Sequence, residues 1–134
     1  MALLGKLFKN AIKINRKLSI TRKSMQQLQK QTLRKLLKTA AYTDFGRHYG
    51  FEKILNEANI IEAYQKTVPF FDYDKIYNEW WYRSLNGERD VTWPGRIKNF
   101  ALSSGTTGSS SKKIPISKDM LLSIRKASFR QMCT

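Results

Sequence analysis

Leu102-Ser103-Ser104-Gly105-Thr106-Thr107-Gly108-Ser109-Ser110-Ser111-Lys112-Lys113-Ile114-Pro115 is a polar loop set between two apolar stretches. Residues 103–111 hold seven Ser/Thr hydroxyls and two glycines in nine consecutive positions. A polyphosphate clamp needs this composition: small residues let backbone N–H groups approach phosphate oxygens, hydroxyls add neutral donors, and a following lysine supplies charge. A flexible Ser/Gly linker has the same composition. Two features favour the clamp. The loop is short and joins two strand-like segments, and it ends in a lysine pair fixed to Ile114-Pro115 rather than in more linker. The G-x-x-x-x-G-K-[ST] spacing of a Walker A loop is absent, so a kinase or GTPase reading loses its main support.

On the N-terminal side of the loop, Ile97, Asn99, Ala101 and Ser103 alternate with Lys98, Phe100 and Leu102, the period of a strand. Trp93-Pro94-Gly95 before it is a turn signal. On the other side, Ile114-Pro115-Ile116 reads as a second short strand, with the proline placing it at an edge or strand start. Ser117 then caps a final helix with Leu121, Leu122, Ile124 and Phe129 as apolar positions. That helix runs to Thr134 with no stop signal, an ending that reads as truncation.

Further upstream the periodicity is helical. Leu4, Leu7, Phe8, Ala11 and Ile12 form an apolar stripe over residues 2–17, with lysines and arginines largely off it. Residues 18–22 read as a joint, with Ser19 or Thr21 as caps for a second helix over about 23–41. Thr43 to Gly50 is a polar break that argues against a continuing helix. Short helices are expected over 51–56 and 60–66. Val68-Pro69 forces extended backbone, and Asp72 caps a helix from Tyr73 to Leu85 that ends at Asn86-Gly87. The expected fold class is α+β, predominantly helical, with one short strand–loop–strand unit. The expected division is a basic N-terminal helix and joint over 1–22 and a second part over 23–134, with the loop at 103–113.

The chain has 25 Lys/Arg against 10 Asp/Glu, a net charge of +15. Residues 1–48 carry 12 basic residues against one acid, Asp44, so an anionic partner has to be considered for that region. A solvated charged face over a packed apolar stripe is the commoner explanation, and a nucleic-acid or anionic-membrane module is the alternative. Cys133 is the single cysteine, which excludes an internal disulfide and a CxxC metal site and fits a cytoplasmic location. No apolar run is long enough for a bilayer span, and no metal-ligating motif is present. His48 in Arg47-His48-Tyr49 reads as structural or solvated rather than catalytic, and the Trp80-Trp81 pair as packing in which the two rings face different ways.

Ser-Ser-Gly-Thr-Thr-Gly resembles the phosphate-binding motif of the adenylate-forming superfamily, although the usual Pro-Lys-Gly does not follow. The local version, SSGTTGSSSKKIP, looks instead like the auxin-responsive acyl-acid–amido synthetases, in a bacterial-type form. LLKTAAYTDFGRHYGF, VPFFDYDKI and LNGERDVTWPGRIKNFALSS resemble that family's N-terminal region in the same order, so the likeness covers roughly residues 25–125. The resemblance implies a larger α/β adenylate-forming domain of which this chain is the N-terminal part. It implies that a carboxylate attacks the α-phosphate of ATP, releasing pyrophosphate, and that an amine or amino acid then displaces AMP to form an amide. By the same resemblance, Ser103, Ser104, Thr106 and Thr107 contact the ATP phosphates, Gly105 and Gly108 shape the loop, and Lys112 neutralises charge developing on pyrophosphate. Mg2+ is implied alongside ATP, with no ligand identifiable. No residue is assigned to catalysis.

The family's members are several times longer than this chain. The expectation is therefore that the 134-residue polypeptide does not carry out adenylation alone. The other readings are a small basic helical module with non-specific, salt-sensitive polyanion binding, and a non-catalytic remnant of the same family.

Overall fold

Ser24 opens the first helix through a reciprocal cap. Its hydroxyl accepts from Gln27 N at 3.2 Å, and Gln27 Oε1 accepts from Ser24 N at 3.1 Å. This is the capping box, which satisfies two of the N–H groups a helix start leaves unpaired. The cap is thus Ser24, not Ser19 or Thr21 as the sequence suggested, and α1 spans Met25–Ala40. The computed structural model describes residues 24–103 and 111–132. The expected helix over 2–17 and the joint at 18–22 lie outside them. The chain divides into two compact units, Met1–Gln31 and Thr32–Thr134.

Within the second unit, Ala40 ends α1 and the chain turns at once into α2 (Asp44–His48). Thr43 drives that turn. Its buried hydroxyl donates to Ala40 O at 2.7 Å and accepts from Gly46 N at 3.0 Å. The sequence called this stretch a break; a five-residue helix forms there because Thr43 caps it. Two more of its free N–H groups find carbonyls in a distant segment: Asp44 N bonds Asp90 O at 2.8 Å and Phe45 N bonds Val91 O at 2.9 Å. Gly46 is required by proximity, since a Cβ there would lie 2.0 Å from Ala40 O.

α3 (Phe51–Asn56) and α4 (Ile60–Thr67) follow, the latter capped by Asn59. Val68 is extended before Pro69, as the proline demands. Asp72 Oδ1 then accepts from Lys75 N at 2.8 Å and starts α5 (Tyr73–Ile76). The continuous helix expected over 73–85 has a wider middle: a π-helical turn at Tyr77–Trp81 separates α5 from α6 (Tyr82–Leu85).

The core gathers Leu37, Ala40, Ala41, Phe51, Ile54, Val68, Trp80 and Val91 around Phe45. The Phe45 ring meets Tyr49 at 4.7 Å, Trp80 at 5.0 Å, and Phe51 and Phe71 at 5.8 Å. Several of these contacts are edge-on or tilted, the arrangement aromatic quadrupoles favour. Trp80 is buried and Trp81 half-buried, so the adjacent pair does face two ways.

After Gly87, whose φ of 88° suits glycine, the chain folds back on itself between Arg89 and Arg96 around the Trp93-Pro94-Gly95 turn. β1 (Asn99–Ser103) and β2 (Lys112–Ile116) form a two-stranded antiparallel sheet. α7 (Lys118–Met132) starts at Ser117, whose hydroxyl accepts from Met120 N at 3.1 Å. The architecture is α+β and predominantly helical. Leu121 is half-buried, whereas Leu122, Ile124 and Phe129 of α7 are exposed.

Candidate functional site

The register of the hairpin places the polar loop. Asn99 pairs with Ile116, Phe100 with Pro115, Ala101 with Ile114, Leu102 with Lys113, and Ser103 with Lys112. Ser103 and Lys112 therefore close the ladder, and the eight residues between them leave and return at one place. The connection is longer than the two to five residues usual in a hairpin. Of the residues singled out from the sequence, the structure brings Ser103 and Lys112 together. Ser104, Gly105, Thr106, Thr107 and Gly108 lie outside the described residues.

The parity of the ladder follows from Lys113. Its backbone N–H donates to the Tyr73 hydroxyl at 2.9 Å, so that N–H points away from β1. Alternate residues of an antiparallel strand share this direction. Pro115, two residues on, thus turns outward the position where it has no N–H, and the ladder loses no bond. Ser103, Ala101 and Asn99 share a face with Lys112, Ile114 and Ile116, which is the alternation read from the sequence.

Tyr73 was not among the candidates read from the sequence, yet it meets β2 twice. Its hydroxyl also donates to Lys113 O at a longer 3.5 Å, and the Lys112 ammonium sits 4.8 Å from its ring centroid. Tyr73 in turn stacks on Tyr77 at 5.7 Å with 22° between ring planes, and meets Trp81 edge-on at 6.1 Å. These three positions are four residues apart. An α-helix rotates such a series away from a line, and the π-helical turn, closing i to i+5, holds it closer to one. The only sequence signal for Tyr73 was its place just after the Asp72 cap.

Elsewhere the ionisable groups serve the scaffold. Arg83 bridges Glu88 and Asp44, and its bonds to those two carboxylates push its guanidinium pKa above the ordinary value. Burial pushes the Tyr49 phenol up from 10.0, and the Glu79 charge adds to this. The Trp80 indole N–H opposes that shift, although it faces Tyr49 without meeting hydrogen-bond geometry. His48 is exposed and lies edge-on to Tyr49 at 4.6 Å and to Trp80 at 5.4 Å. A cleft of about 520 Å³ lies along α3 and α4, and no residue of the hairpin lines it.

Chemically, the hairpin neck offers a hydroxyl and an ammonium at the two ends of a loop rich in backbone and side-chain donors. That donor set suits an anion with several oxygens. Among the described residues no group of three His, Cys, Asp or Glu side chains is placed to hold a metal ion, so none is assigned to Mg2+. Among those same residues no helix is long and apolar enough to cross a membrane.

Comparison with curated proteins and with solved structures returns no match. A family model described as the GH3 family N-terminal domain matches residues 15–133. The match runs through every described element, from the Ser24 cap to α7, and includes the hairpin. The chain belongs to the GH3 family, whose N-terminal domain it carries.

Proposed function

We propose that residues 23–134 are the N-terminal portion of an adenylate-forming domain in an ATP-dependent acyl-acid–amido synthetase, and that the loop between Ser103 and Lys112 grips the ATP phosphates. The observation that carries this is the Ser103–Lys112 pair. A linker has no need of paired ends, whereas a phosphate clamp needs both ends fixed so that its donors converge. Family membership supports the same reading.

ATP, when bound, supplies the α-phosphate that a carboxylate attacks, with pyrophosphate leaving. In this reading Ser103 donates its hydroxyl to a phosphate oxygen at the start of the loop. Ser104, Thr106 and Thr107 add hydroxyl and backbone donors, and Gly105 and Gly108 keep side chains out of the way. Lys112 brings one positive charge to the end of the loop, where negative charge grows on the leaving pyrophosphate. An amine or amino acid then takes the acyl group. The acyl and adenine pockets belong to sequence outside this domain, so the 134-residue chain alone does not turn over.

The test is ATP–pyrophosphate exchange by the native gene product with a panel of carboxylic acids, beside the Thr106→Ala, Thr107→Ala and Lys112→Ala variants. Acid-dependent exchange that the variants lose supports the reading. Exchange that survives all three substitutions overturns it, as does sustained exchange by the 134-residue chain.

A further inference from the structure

We infer that Tyr73 is a positioning residue for the phosphate loop: it fixes the returning strand by the Lys113 backbone and holds the Lys112 ammonium against its ring. The inference rests on the phosphate-clamp reading of the loop.

A two-stranded sheet leaves the outer edge of β2 unpaired, and a two-stranded hairpin by itself is marginally stable. At Lys113 that edge is taken by a single hydroxyl, which accepts the N–H at 2.9 Å and approaches the carbonyl at 3.5 Å. Tyr73 thus stands where a third strand would supply one rung. It lies 40 residues away in sequence and belongs to the helical part of the unit, so the bond ties the hairpin to the core-bearing helices.

The neighbouring residue gains an independent contact. The Lys112 ammonium sits 4.8 Å from the Tyr73 centroid, within the range where a ring face attracts a cation. A free lysine would sample many rotamers, and this contact restricts Lys112 to those that lie over the ring. The ring itself is held by Tyr77 and Trp81 at 5.7 and 6.1 Å. Those two meet Tyr73 together because of the π-helical turn between Tyr77 and Trp81. Such turns occur frequently at functional sites, and this one carries the two rings that hold Tyr73.

The 134-residue chain is titrated with inorganic tripolyphosphate, and exchange of the Lys113 amide with deuterium is followed by NMR. Four variants are compared with wild type: Lys112→Ala, Tyr73→Phe, Tyr73→Leu, and Tyr73→Leu combined with Lys112→Ala. The expected result is a loss of affinity on the order of three- to tenfold for Tyr73→Leu, from one hydrogen bond and one cation–π contact. Tyr73→Phe loses less, because it keeps the ring, and Lys113 exchange quickens in both. The double variant loses less than the two single losses added together, since part of the Tyr73 effect acts through that lysine.

Tyr73→Phe retains the aromatic column and carries the test if Tyr73→Leu does not fold. Wild-type affinity in Tyr73→Phe with unchanged Lys113 exchange overturns the inference. So does a Tyr73→Leu loss that adds in full to that of Lys112→Ala. If wild type shows no saturable binding, or Lys112→Ala binds as tightly as wild type, the phosphate-clamp reading fails and the inference with it.

Discussion

Ser103 and Lys112 face each other as the last pair of the β1–β2 ladder, and the hydroxyl-rich loop begins at one and ends at the other. The loop is therefore held at both ends by residues that themselves suit a phosphate. Removing the charge at one end has a defined consequence. In the native gene product, Lys112→Ala is expected to lower the rate of acid-dependent ATP–pyrophosphate exchange by roughly 100-fold or more, the effect of deleting one donor aimed at developing charge. Lys113→Ala is expected to change it far less, because Lys113 faces the other side of the strand and its backbone makes the bond to Tyr73. Equal losses in the two variants would contradict the parity of the ladder.

The Thr43 hydroxyl does two jobs in a buried place, joining Ala40 O to Gly46 N. Thr43→Ala is expected to destabilise the fold by about 1–2 kcal/mol, as loss of a helix cap does. Gly46→Ala is expected to cost more, because its Cβ would overlap the Ala40 carbonyl and backbone must move. Urea unfolding followed by circular dichroism checks both. A Gly46→Ala midpoint equal to wild type would mean that the turn is not as close as described.

Leu36 and Leu37 are neighbours with opposite fates, 47% and 1% exposed. Leu37→Ala is expected to lower stability by about 2–5 kcal/mol through lost burial and a residual cavity. Leu36→Ala is expected to stay within about 0.5 kcal/mol, as surface changes do. Thermal melts of the pair read the difference, and similar losses would place the helix in another rotation.

Burial raises the Tyr64 phenol above its ordinary 10.0. The folded chain then keeps that proton at pH values where the unfolded chain has begun to lose it. The unfolded state binds fewer protons there, so this contribution to stability is complete below about pH 10 and is lost as pH rises through the folded value. Tyr64→Phe removes the titration. Its stability relative to wild type is expected to improve steadily above pH 10, and a difference flat with pH would exclude the shift.

Much of the fold was legible because its signals are local. Asp72 and Ser117 cap the helices they were expected to cap, and Val68-Pro69 is extended as proline requires. Strand alternation around Ala101, and an edge or strand-start place for the Pro115 segment, followed from side-chain period and a missing N–H. What escaped depends on distant partners. Within the polar stretch Thr43 to Gly50, α2 forms with the Thr43 cap and with carbonyls that Asp90 and Val91 lend from more than forty residues away. The π-helical turn at Tyr77–Trp81 leaves no mark on helical periodicity. Tyr73 could be read as a first helical residue but not as a partner of Lys113. The loop was read as a phosphate clamp from composition and resemblance, and its paired ends came from the register.

The most direct measurement is an NMR titration of the isotope-labelled 134-residue chain with Mg-ATP at moderate salt, reading every assigned amide. The account predicts saturable shifts concentrated in residues 103–113, with a smaller response at Tyr73. Shifts spread over the Lys and Arg residues of 1–48, with residues 103–113 unmoved, would contradict it and favour a basic module that binds polyanions without a phosphate clamp.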